Sequence, residues 1–176
     1  MRPTIFFAAC ATLVCASLAA LGSQPENAKP TYAVEITLKN RATKKEAYAL
    51  KATVTAGQAE KITSISQRPF VTGVSGTTAF SPTIQVIDFG AVAHMKISET
   101  DSDALDVDAT IEVSEITEVR AKAYPGKQTN VQTVRVATAQ TRLLETIAPN
   151  EKLTSTISIA GQTYDASLSV IRKNTK

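Results

Sequence analysis

Polar and apolar side chains alternate along most of this chain with a period of two. The cleanest run lies at 105–114, where Leu105, Val107, Ala109, Ile111 and Val113 are separated by Asp106, Asp108, Thr110, Glu112 and Ser114. Successive side chains of a strand point to opposite faces, so this rhythm predicts one apolar and one acidic face. A helix would scatter the same residues around its circumference. Slipping the pairing by one residue would carry Asp106, Asp108 and Glu112 into the core, and the cost of burying unpaired charge excludes that slip. The stretch before it is more apolar, with Ile84, Val86, Ile87, Phe89, Ala91, Val92, Met95 and Ile97. Gly90 interrupts it, which predicts a bulge or a close backbone approach. Residues 98–103 between them are turn-forming and polar. Residues 83–114 thus read as two long strands around an acidic turn.

The same rhythm predicts strands at 32–38 and 48–54, paired as a hairpin across the charged loop 40–46. Ala56-Gly57-Gln58 marks a turn. A weaker strand follows at 59–66, and Pro69 and Phe70 open a separate extended piece reaching Val74. Residues 75–82, rich in Gly, Ser and Thr, read as a flexible loop. Ile116, Val119 and Ala121 continue past Ser114 after a bend, up to a Tyr124-Pro125-Gly126-Lys127 turn. Residues 131–147 fit two patterns. Val134, Val136 and Thr138 suit a strand, whereas Ala137, Leu143, Leu144 and Ile147 also suit a helix. All neighbours read as strands, so one long irregular strand is expected. Pro149-Asn150-Glu151 turns into alternating runs at 153–159 and 164–170, separated by Ala160-Gly161-Gln162. Many short strands with regular turn signals predict an all-β fold, an antiparallel sandwich or a partly open barrel.

Residues 1–22 read as a secretory signal: Arg2 gives the positive end, an uncharged apolar run follows, and small residues surround 19–23. A retained membrane anchor stays open, because the run is near the lower limit for a span. So does a lipid anchor at Cys15, although Val14 suits that site poorly. The remainder divides into a disordered leader at 23–31, one domain at 32–171 and a polar tail at 172–176. Cys10 and Cys15 both fall in the signal, so the processed chain must be held by packing and hydrogen bonds alone. The formal net charge of +3, one unit of which is Arg2, is too weak to argue for nucleic acid or an anionic membrane surface.

Candidate chemistry is sparse. His94 is the only histidine, and with no mature cysteine or second histidine to share the work it reads as an ordinary strand residue. No nucleophile elbow and no Gly-rich phosphate loop stands out. Glu99, Asp101, Asp103, Asp106 and Asp108 supply the oxygens that calcium needs. They lack the glycine and terminal glutamate of an EF-hand, and Asp106 and Asp108 are already explained as outward strand residues. Arg41, Lys44, Lys45 and Lys51 form a basic group that reads as solvated, with an acidic partner as the alternative. Tyr32, Tyr48, Phe70, Phe80 and Phe89 are too dispersed for a base-stacking platform and belong in the core. No catalytic, cofactor or metal site is expected.

Three stretches in this order resemble the C-terminal domain of bacterial secretins, the channels of type II and III secretion. Residues 54–74, VTAGQAEKITSISQRPFVTGV, resemble that family's glycine turn and short strand leading to an aromatic after proline. Residues 84–116 resemble its long paired strands, with Gly90 and Ser114 where the family places a glycine and a serine. Residues 131–157 resemble its late strand pair, with Pro149-Asn150-Glu151 at the polar turn. The large amino-terminal domains, a Pro-Leu-Leu-Gly type of ending and an aromatic-girdled membrane hairpin are missing from the sequence. The resemblance therefore implies a small secretin-like relative that forms no pore by itself. The expected role is a non-enzymatic structural or interaction element of the bacterial envelope, periplasmic, outer-membrane-associated or secreted. It would pair with a protein partner or with itself through β edges, without nucleic acid. The alternative is a free-standing binding module for a polysaccharide or small ligand.

Overall fold

The computed structural model describes residues 29–76, 81–100, 102–123 and 130–173. The expected signal segment, most of the expected leader, Asp101, Phe80 and the expected turn at 124–127 lie outside them. Eight strands follow in order: β1 (Thr31–Asn40), β2 (Glu46–Thr55), β3 (Ala59–Ser75), β4 (Ser81–Glu99), β5 (Leu105–Ala123), β6 (Asn130–Ile147), β7 (Lys152–Ile159) and β8 (Gln162–Lys173). They form two antiparallel four-stranded sheets, ordered β2-β1-β8-β7 and β3-β4-β5-β6. The chain builds a hairpin in the first sheet, lays down all four strands of the second, then returns to place β8 beside β1. The architecture is a β-sandwich that does not close into a barrel.

The core sits between the sheets and follows from the alternation. Leu50, Ile36, Leu168 and Leu153 form one row across the first sheet, and all four are buried. Facing them, Ile62, Ala93 and Ile111 form a row in the second, ending at Thr141. Small Ala91, Ala93 and Ala109 each sit beside a larger cross-strand partner, Val113, Ile111 and Met95, which lets the layer pack without crowding. Each buried Val, Ile or Leu contributes roughly 1.5–3 kcal/mol. Among the described residues no polar or charged residue is buried.

The few polar links between the sheets are hydrogen-bonded. Thr141 and Ser155 hydroxyls lie 2.8 Å apart. At one end of β1, Tyr32 donates its hydroxyl to Glu99 of the opposite sheet. At the other end, Tyr164 of β8 donates to Glu115 of β5. These two tyrosine–glutamate clasps tie the layers together at both ends of the core.

Several expectations change. Residues 59–75 form one strand instead of two pieces, because Pro69 sits where its missing N–H costs the β3–β4 ladder nothing. Ser75, Ser81 and Pro82 of the expected 75–82 loop belong to strands, and 77–80 lie outside the described residues. Arg172 and Lys173 extend β8 into the expected tail, and Thr31 starts β1. The 83–114 hairpin is real only in its inner half, since β4 and β5 pair at 90–99 and 105–114. Residues 130–147 form a single strand, in which Leu143 is buried and Leu144 exposed.

Candidate interaction surface

Beyond Gly90 and Ser114 the second sheet forks. β4 stays paired with β3, from Phe89 opposite Ser66 out to Ser81 opposite Ser75. β5 stays paired with β6, through a bulge at Thr117, out to Ala123 opposite Asn130. The result is two two-stranded ribbons that outrun the sandwich. Each ribbon alone is too small to bury a core, so they lean on one another. Phe70 on β3 is buried outside the main core, with the Arg68 guanidinium 5.3 Å above its ring. Gln132 of β6 accepts a hydrogen bond from the Val71 N–H at 3.1 Å.

That bond fixes which way the backbone groups point. The Val71 N–H faces away from β4, so Val71 and Ile84 form a pair without ladder bonds between them. By the two-residue alternation, Pro69 also turns its N side outward, where a proline does no harm. Its partner Val86, together with Ile84 and Asp88, then points N–H and C=O away from β3. Those groups face the side that β5 occupies further along, where Gly90 meets Ser114. Among the described residues no strand pairs with β4 there. The edge is also wet: Ile84 and Val86 are 60% and 55% exposed. Pro69 and Val71 flank them on the same ribbon face, which makes an apolar stripe beside an open edge.

At the fork lies a hollow of about 430 Å³ lined by Arg68, Phe89, Glu115, Ile116 and Glu118. Its charges are largely matched. Glu118 pairs with Arg120 and, at 3.4 Å, with Arg135. Glu115 accepts from Tyr164, whose hydroxyl pKa is driven above the ordinary tyrosine range by burial and then by that carboxylate. Asp88 accepts from the Gln67 amide at 2.9 Å and has no ion pair among the described residues.

The residues singled out from sequence do not converge. His94 lies exposed in a row between Lys61 and Thr110. Asp108 accepts two bonds from Arg142, at 2.9 and 2.8 Å, which hold its carboxyl below the usual range. Asp106 accepts from Thr146 at 2.5 Å, and Glu99 serves Tyr32 and, at 3.3 Å, Arg172. Asp103 is exposed at the turn, in a left-handed backbone conformation. No group of three potential metal ligands occurs among the described residues. Of the basic group, Arg41 binds Asp165 at 2.6 Å and Lys51 binds Glu35 at 2.9 Å. Lys44 and Lys45 are exposed in the loop. Arg41 and Asp165 line an open hollow of about 570 Å³ on the outer face of the first sheet, walled mainly by Ser, Thr and Lys. Tyr32, Tyr164 and Phe70 are buried, and Tyr48 and Phe89 half-buried. Tyr48 and Tyr164 meet at a centroid distance of 6.3 Å.

Sequence reasoning missed the open β4 edge. Ile84, Val86, Ile87 and Phe89 looked like ordinary strand interior, and the only signal of the fork was Gly90. Comparison with protein families, with curated proteins and with solved structures finds no match to this chain.

Proposed function

We propose that this chain is a non-enzymatic, exported interaction element of the bacterial envelope, working alongside protein secretion machinery. Its working part is the fork. The observation that carries this reading is the β4 edge at Ile84–Asp88, which offers unpaired backbone groups next to exposed apolar side chains. Open edges invite pairing with another chain, and proteins that do not use them usually blunt them. The opposite edge of the same ribbon is managed: Pro69 and Gln132 occupy the outer edge of β3. The signal-like first 22 residues support export, and the secretin-like order of segments supports a place beside secretion channels.

The test is made in cells. The chain is produced at native level with a photo-crosslinking residue at position 86, and the envelope and cytosol are separated. The expected product starts near residue 23, sits in the periplasmic or outer-membrane fraction and crosslinks to an envelope protein. A full-length cytosolic product, or an exported one that crosslinks to nothing, overturns the proposal.

A further inference from the structure

The open edge is short and asymmetric, and that limits what fits it. Pro82 lacks an N–H and bounds it on one side, while Gly90 bounds it on the other by entering the ladder with Ser114. Ile84, Val86 and Asp88 lie between, with their side chains on one ribbon face and their backbone groups on the edge. An added strand would meet three side chains in a row: apolar, apolar, acidic.

A second copy of this chain does not satisfy that row. Residues 81–89 contain no cation. In every symmetric antiparallel register of two such edges, Asp88 therefore meets an apolar residue or its own counterpart. Like charges directly opposite, or a charge against an apolar partner, weaken a cross-strand pair. Face packing is no better. Stable dimers bury about 800 Å² on each partner, and Ile84, Val86, Pro69, Ile65 and the half-buried Val71 are too few to supply it. Main-chain hydrogen bonds must carry the affinity, with side chains giving the choice of partner.

We propose that the β4 edge receives an extended segment of another protein, added as a further strand. Two alternating apolar residues of that segment lie against Ile84 and Val86, and a Lys or Arg lies against Asp88. This rests on the reading of the chain as an interaction element, but not on export or on secretion.

The test uses the purified chain and synthetic peptides, so it stands apart from the cellular one. The probes are acetyl-Thr-Val-Thr-Ile-Thr-Lys-Thr-amide, its reversed order, and both with Glu in place of Lys. Hydrogen exchange by NMR reads the amides of Ile84, Val86 and Asp88. One Lys peptide is expected to slow exchange at all three, with the matching Glu peptide at least about fivefold weaker. Asp88→Lys, at an exposed position, is expected to reverse that preference while the melting temperature holds. Val86→Pro, which removes a backbone donor from the open edge only, is expected to abolish binding. The proposal is overturned if no peptide slows these amides at millimolar concentration, or if Lys and Glu peptides bind equally. It also fails if the amides become protected without peptide as protein concentration rises, which would make a second copy the occupant.

Discussion

A Cβ placed on Gly90 would stand 2.2 Å from the backbone carbonyl oxygen of Ser64. Gly90 also holds a φ of 140°, a conformation that side-chain-bearing residues rarely adopt. The close approach of β3 and β4 falls at the β4 residue where pairing with β5 ends. Gly90→Ala is expected to cost about 3 kcal/mol or more, from strain and from displaced β3 backbone together. Gly57 gives the control. Its φ is 77°, but nothing lies within 4 Å of an added Cβ. Gly57→Ala is expected to cost only the left-handed strain, about 1 kcal/mol. Urea denaturation of the two variants checks the difference.

Alkaline stability should depend on the tyrosine clasps. Burial, and then the hydrogen bond to Glu99, push the Tyr32 hydroxyl pKa up to about 12. In the unfolded chain it titrates near an ordinary value of about 10. Between those values the folded state holds a proton that the unfolded state has lost, so stability falls as pH rises. The contribution is complete below about pH 10 and gone above about pH 12. Tyr164 acts in the same direction at the other end of the core. Tyr32→Phe is expected to cost about 1–2 kcal/mol at neutral pH, for the lost bond to a carboxylate. It should also flatten the decline across that alkaline window. Denaturation curves at stepped pH read both effects.

The inside-outside sorting of the second sheet gives a sharper contrast. Ile111 is fully buried in the β4-β5-β6 layer, whereas Leu144 on β6 is 65% exposed. Ile111→Lys places a cation in a core that holds no charged residue, and is expected to cost at least about 4 kcal/mol or prevent folding. Leu144→Lys is expected to stay within about 0.5 kcal/mol of the parent. Circular dichroism on heating distinguishes the two.

Where one face is apolar and the other polar, the sequence carried its own answer. The 105–113 run settles its register because the alternative buries Asp106 and Asp108. The same logic fails at 84–89. Ile84 and Val86 point to one face and Ile87 and Phe89 to the other, so alternation says strand without saying which neighbour pairs with it. The fork depends on β5 turning away after Ser114, a tertiary event with only Gly90 as a local trace. Phe70 is buried apart from the main core, which no local pattern encodes. Glu99 looked like a turn residue and a weak calcium ligand. Its partner Tyr32 lies in the first strand, too distant in sequence for spacing to suggest the clasp.

Calcium gives the last prediction. Five carboxylates around the β4–β5 turn look like a site in sequence, but the strands pull Glu99, Asp106 and Asp108 to different tasks. Asp108 faces outward in the row with Lys96 and is held by both arms of the Arg142 guanidinium. Asp106 accepts from Thr146. Glu99 turns instead to Tyr32 and Arg172. Calcium takes six to eight oxygens at roughly 2.3–2.6 Å, and gathering them here would break a guanidinium fork and an intersheet clasp. Millimolar calcium is therefore expected to leave the melting temperature unchanged and to release no heat in a calorimetric titration. A saturable exotherm, lost in Asp108→Asn, would mean that the turn rearranges to give up those bonds. The Tyr32 hydroxyl would then titrate closer to its ordinary range when calcium is present, because Glu99 would have been drawn away from it.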